Sequence, residues 1–203
     1  IQRSEGRAYY NSAAFVDGAG QVAQVYDKFH LVPFGEYMPF PAFWQRLGIQ
    51  GLAARVDSGY SAGPGPRVMD LGFVRALPLI CYEAVFPQYA RPDDRPEVLI
   101  QWTNDAWFGA YAGPYQHLAQ ARMRAIESGL PMVRVANTGI SVLIDAGGQV
   151  TAALPLNEAG FLDVALPGAL PPTVYARTGD LPLLVLLILL ACAAIGVKSR
   201  KSD

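Results

Sequence analysis

The C-terminal stretch "GDLPLLVLLILLACAAIGVKSRKSD" constrains this chain most. It holds an uncharged apolar run from Leu181 to Val197, roughly 17 residues, which is the lower limit for a helix that crosses a bilayer. Asp180 is placed to cap that helix, and Pro182 falls near its first position, where a missing N–H does no harm. Tyr175 and Arg177 precede the run as interfacial anchors would. Lys198, Arg200 and Lys201 follow it, and positive charge marks the cytoplasmic side. The pattern predicts a transmembrane helix over 181–197 and a cytoplasmic basic tail over 198–203. The rest of the chain would then lie on the outer side. The competing reading is a buried core helix, which is usually shorter and seldom ends a chain in a basic tail.

The residues before the run suffice for one domain with a sizeable core. Charged residues make up only 16 % of the chain and hydrophobic ones 52 %, at the edge of the range for a soluble domain. A net charge of −1 gives no footing for nucleic acid or a polyanion. The opening residues, "IQRSEGRAYYNSAAFV", lack a Met start and the apolar segment of a signal peptide. The expectation is therefore the C-terminal part of a longer protein. Of the two cysteines, Cys192 lies in the apolar run and Cys81 far from it. On the outer side an unpaired thiol is a liability unless it is used.

Along the chain, Ala8 to Asp17 and Gln21 to Phe29 read as a hairpin around "DGAGQ". His30 to Phe40 is an irregular loop, followed by a short helix at Pro41 to Leu47. Val68 to Leu71 and Val74 to Tyr82 make a second strand pair. Val98 to Thr103, "VLIQWT", is an apolar run of buried-strand type. Tyr115 to Ser128 has helical spacing, with Leu118, Ala121, Ala125 and Ile126 on one face and Gly129 as its stop. Met132 to Asn137, Ile140 to Asp145, "TAALPL" and "GFLDVAL" complete the strands. Residues 167–180 read as a Pro-rich linker. This predicts an α/β domain over 1–166, layered as a sandwich with helices outside.

Polar residues end three apolar strands: Lys28 with His30 and Glu36, Cys81 with Tyr82 and Glu83, and Asn104 with Asp105 and Trp107. Strand ends are where α/β folds place functional groups. A lysine beside a cysteine favours the thiolate, or stabilises an oxyanion together with the N–H that follows the cysteine. Taken singly, Lys28 also fits an exposed hairpin lysine, and Cys81 an inert strand-end thiol. No zinc spacing, phosphate-binding glycine loop or GxSxG elbow is present, so no metal and no cofactor are expected.

Taken together, "YDKFHLVPFGEYMP" (26–39), "ICYEAVFP" (80–87) and "NDAWFGAYAGPYQHLAQARMRAIESGLPMVRVANTGIS" (104–141) closely resemble the nitrilase, or carbon–nitrogen hydrolase, superfamily. They are most similar to its membrane branch, which N-acylates bacterial lipoproteins. The resemblance implies an α-β-β-α sandwich, incomplete here at its N-terminus, followed by one membrane helix. It implies Cys81 as nucleophile, Lys28 as the catalytic lysine, Glu36 as its positioning carboxylate, the Tyr82 N–H as oxyanion donor, and Glu83 as a supporting carboxylate. The family's general-base glutamate would precede the first hairpin. Glu5 sits in a polar stretch and does not fit, so the triad Glu is expected outside this chain, which alone would be inactive. The implied partners are a phospholipid acyl donor and a diacylglyceryl-apolipoprotein acceptor, at a bacterial inner membrane. Two other readings stay open: a membrane-tethered amidase using the same Cys and Lys, and a non-catalytic degenerate paralogue.

Overall fold

Two hairpins come first. The computed structural model describes residues 1–48 and 59–200, and in it Gln2–Glu5 (β1), Ala8–Val16 (β2) and Val22–Asp27 (β3) form an antiparallel sheet in that order. The β2–β3 pairing follows the expected hairpin. β1 was not expected, because "QRSE" has no apolar residue to reveal a strand. It is held by the backbone ladder and by Arg3, whose guanidinium grips the Asp27 carboxylate at 3.0 and 2.7 Å. This forked geometry is the strong form of the interaction, and it secures the residue just before Lys28.

The second sheet has six strands: Met69–Asp70 (β4), Arg75–Ile80 (β5), Val98–Asn104 (β6), Met132–Asn137 (β7), Ser141–Ile144 (β8) and Val150–Leu154 (β9), in the order β4-β5-β6-β7-β8-β9. The central strands β5, β6 and β7 are parallel, and the outer pairs are antiparallel. Parallel strands need a covered face on each side, and β6 has one. Leu77, Leu79, Leu99 and Met132 pack against Ala121 and Ala125 of the helix Ala112–Ser128. Pointing the other way, Ile80 and Trp102 meet Ala13, Phe15 and Tyr26 of the small sheet. Phe15 and Trp102 touch edge to face at 5.4 Å.

The described layers are therefore small sheet, large sheet and helix. The outer helical layer expected over the small sheet has no counterpart among the described residues. Pro41–Arg46 (α1) is the short helix anticipated after the loop, and Ala112–Ser128 (α2) starts three residues before the expected Tyr115. Gly129 ends α2 in the left-handed region, as a C-terminal glycine should. The buried face of α2 differs from the expected one. Ile126 is exposed, whereas His117, Arg124 and Ser128 are buried: His117 meets Asp105 and Gln101, the Arg124 guanidinium donates to Val85 O and Glu127, and Ser128 Oγ donates to Arg124 O.

Two further expectations are corrected. "GFLDVAL" is not a strand: 160–166 is irregular and exposed, and it does not pair with the edge strand β9. The stretch 167–180 is more than a linker. It contains the short helix Val174–Thr178 (α3) and is strapped to the domain. Arg95 donates to the carbonyls of Ser128, Gly129 and Leu170, and Arg91 to that of Ala176.

Leu181–Arg200 (α4) forms a helix, as the apolar run predicts, and its apolar side chains from Leu181 to Ile195 are exposed. Among the described residues no helix is long and apolar enough to cross a membrane. The helix has 20 residues and rises about 30 Å, but Lys198 and Arg200 fall in its last turn. It runs past Val197, the expected end of the span, to Arg200, and residues 201–203 of the expected basic tail over 198–203 lie outside the described residues.

Candidate active site

The carboxyl end of β5 carries the first half of the site. The chain turns there into a tight 3-10 helix, Cys81–Val85, and Cys81 takes the left-handed conformation at φ 51°. A residue with a Cβ is strained there, by about 1–3 kcal/mol. Such strain persists only where the surroundings impose it. Cys81 is a free thiol and partly exposed.

Glu83 imposes much of that geometry. It is fully buried, and its carboxylate accepts from the backbone N–H of Phe29 (2.8 Å), His30 (3.2 Å) and Ile80 (2.7 Å), and from the Tyr26 hydroxyl (3.1 Å). The clamp therefore joins the residues right after Lys28 to the residue right before Cys81. Burial pushes the Glu83 pKa up, while the three N–H groups and the Lys28 charge oppose that rise.

Lys28 is not an exposed hairpin residue. It is 1 % exposed, and its ammonium donates to Glu36 Oε2 at 2.6 Å. Glu36 is itself held, by Asn11 Nδ2 on Oε1 (2.9 Å) and by the Val32 N–H on Oε2 (2.8 Å). The loop between them folds back on itself, with Glu36 N–H bonded to Val32 O at 2.8 Å, and so the carboxylate sits over the lysine. His30 packs on the rings of Tyr82 and Phe86 and meets Tyr89 Oη through Nδ1 at 2.8 Å. Burial and the Lys28 charge hold its pKa below the usual value, which keeps the imidazole neutral at pH 7. All five predicted site residues thus gather at the seam between the sheets.

The third predicted group separates. Trp107 is 78 % exposed. Asn104 caps the turn that follows β6, accepting from Ala106 N–H. Asp105 turns inward and joins partners that sequence reasoning did not single out: Gln101, His117 and Arg134. Arg134 donates to Gln101 Oε1 and to Asp105 Oδ2, both at 2.6 Å. Thr103 Oγ1 and His117 Nδ1 meet Asp105 Oδ1 at 2.9 Å each. Gln101 Nε2 lies 3.2 Å from His117 Nε2 and 3.3 Å from the Cys81 carbonyl oxygen. The signal for this group was register: Gln101 stands opposite Arg134 on paired strands, two apolar-strand positions filled by polar residues. Burial alone would raise the Asp105 pKa, but His117 and Arg134 hold it below the ordinary carboxylate value. Gly139 comes so close that an added Cβ would run into the Asp105 carboxylate.

The geometry sets a thiol on a strained turn beside a buried lysine–carboxylate pair, in a sheet sandwich. A family model for carbon–nitrogen hydrolases matches residues 1–170, and the chain belongs to that family. Among named relatives, it is 52 % identical over 188 residues to an apolipoprotein N-acyltransferase of Bradyrhizobium diazoefficiens, covering 92 % of this chain and 35 % of that protein. A second apolipoprotein N-acyltransferase, from Rhodopseudomonas palustris, is 48 % identical over 182 residues, with 89 % and 34 % covered. The chain thus spans about a third of the length of these relatives. A solved carbon–nitrogen hydrolase from Helicobacter pylori shares the fold at TM-score 0.59 and 18 % identity, over 78 % of this chain and 57 % of that one.

Two outcomes are expected. Glu83→Gln puts an amide NH₂ against a backbone N–H whichever way it is turned, because both oxygens accept from N–H groups. Urea unfolding should show a loss of about 1–3 kcal/mol. The Asp105 contribution is present above about pH 4 and lost as pH falls through its lower folded pKa. The stability gap between wild type and Asp105→Asn should therefore shrink in acid, and a gap independent of pH from 7 to 3 would contradict the network.

Proposed function

We propose that this chain carries the catalytic site of an N-acyltransferase that moves an acyl chain from a phospholipid to the amino-terminal cysteine of a lipoprotein. The observation that carries the reading is the Glu83 clamp, which joins the strand end of Lys28 to that of Cys81. The names of the two relatives support the acyl-transfer chemistry.

In the first step the Cys81 sulfur gives up its proton to a base and attacks the ester carbonyl carbon. The oxygen becomes an oxyanion, met by the Lys28 ammonium and the Tyr82 N–H. The C–O bond breaks, the lysophospholipid leaves as an alcohol and takes up the proton, and a thioester remains. In the second step the α-amino group of the diacylglyceryl-cysteine attacks the thioester. The amine proton passes to the base, the amide forms, the C–S bond breaks, and the sulfur takes the proton back as the Cys81 thiol. Splitting one transfer into two lowers each barrier. Glu36 keeps the Lys28 ammonium in place, and Glu83 is a supporting carboxylate rather than the base.

Membrane attachment belongs to this reading. α4 exposes leucines along its described length, and the sequence ends in Lys198, Arg200 and Lys201. We place the domain on the outer face of a bacterial inner membrane, with the C-terminus in the cytoplasm. Phe40, just before α1, and Phe43, on α1, are exposed, as is Phe34, which meets Trp44 edge to face, and together they form a lipid-facing surface.

The test is transfer from a phospholipid to a diacylglyceryl-cysteine peptide by the protein at its natural length. Cys81→Ser should abolish it, and Lys28→Met should lower it about 10²–10³-fold. Full activity in either variant contradicts the assignment, and release of free fatty acid or ammonia without transfer points to a hydrolase.

A further inference from the structure

The Cys81 carbonyl at the strained turn meets side chains of β6 and α2, Gln101 and His117. It accepts from Gln101 Nε2 at 3.3 Å. Gln101 is fully buried, and its orientation is determined by its partners. Arg134 donates to Oε1, so the NH₂ group is the end that reaches Cys81. The second amide hydrogen goes to His117 Nε2 at 3.2 Å. His117 accepts there because its Nδ1–H is used on Asp105 at 2.9 Å. The same tautomer makes the 3.4 Å approach of His117 Nε2 to the Cys81 oxygen a contact and not a second hydrogen bond. Every donor and acceptor is then matched, in the order Asp105, His117, Gln101, Cys81.

A peptide unit is planar and trans, so its C=O and N–H point in opposite directions. The carbonyl of Cys81 and the N–H of Tyr82 belong to one such unit. Drawing the carbonyl down into the network aims the N–H up and away from it, on the side of the exposed thiol. We propose that Gln101, oriented by His117, Asp105 and Arg134, is a positioning residue that aims the Tyr82 N–H at the oxyanion. This rests on the acyl-transfer reading of Cys81 and adds to it a buried device that touches neither substrate nor thiol.

Two reactions of the same sulfur separate this role from general support of the fold. Acylation by p-nitrophenyl butyrate forms an S–C bond, passes through an oxyanion and expels p-nitrophenolate. Alkylation by iodoacetamide forms an S–C bond and expels iodide, with no oxyanion. In the protein at its natural length, Gln101→Glu keeps an acceptor for Arg134 and removes the donor to Cys81, and Gln101→Met removes both. Acylation should fall about 10²-fold in each, while alkylation stays close to wild type. Equal loss of both reactions, or loss of neither, overturns the proposal.

A second measurement does not depend on turnover. In a crystal structure of Gln101→Glu, the Cys81–Tyr82 peptide should rotate and Cys81 should leave the left-handed region. An unmoved peptide overturns the proposal. Failure of the acyl-transfer reading looks different: wild-type Cys81 would take iodoacetamide but not the ester, and the crystal structure would still decide the role of Gln101.

Discussion

A single buried carboxylate joins the two sheets where the chemistry is placed. Glu83 reaches from the turn after β5 to the chain leaving β3, where it satisfies the Phe29 and His30 N–H groups, and it also accepts from the Ile80 N–H at the end of β5. These N–H groups lie at or just beyond strand ends, and an unmet buried N–H is costly. The same contact sets the spacing between the ends that bear Lys28 and Cys81. Desolvation of the carboxylate works against this arrangement, and convergent N–H donors are what make a buried carboxylate tolerable. Removing the clamp would free the strained cysteine to relax and part the lysine from it.

The large sheet supports the site from its other face by a change in chemistry along one strand. On β6, Leu99, Gln101 and Thr103 share the face toward α2. Leu99 enters the apolar core, while Gln101 and Thr103 enter the network with Asp105 and Arg134. The apolar half of that face supplies stability. The polar half, at the carboxyl end, orients the turn that carries Cys81. Such networks are favourable only when complete, and the matched donors and acceptors around His117 meet that condition.

Much of this was legible in the sequence wherever apolar periodicity or turn chemistry carried it. The β2–β3 hairpin, the doubly covered β6, the stop of α2 at Gly129 and the helix over the apolar run follow from local pattern. β1 was not legible, since an exposed polar strand carries no periodicity and depends on Arg3 meeting Asp27. "GFLDVAL" had the pattern of a strand but stays irregular and exposed, unpaired with the edge strand β9. The burial of His117, Arg124 and Arg134 was hidden for a related reason: charged side chains enter a core only when distant residues satisfy them. Lys28, Glu36 and Cys81 were named through their resemblance to a family. Spacing alone left them ambiguous until burial and the 2.6 Å contact between Lys28 and Glu36 joined two of them.

The central claim is that the acyl group passes through Cys81. The most direct measurement is the mass of the peptide carrying Cys81 after the protein at its natural length is incubated with a phospholipid of defined acyl chain and no acceptor. The account predicts a mass gain equal to that acyl group, located on Cys81, removed by hydroxylamine and lost on adding a diacylglyceryl-cysteine peptide. An unmodified Cys81 in a preparation that still forms the N-acylated product would contradict it.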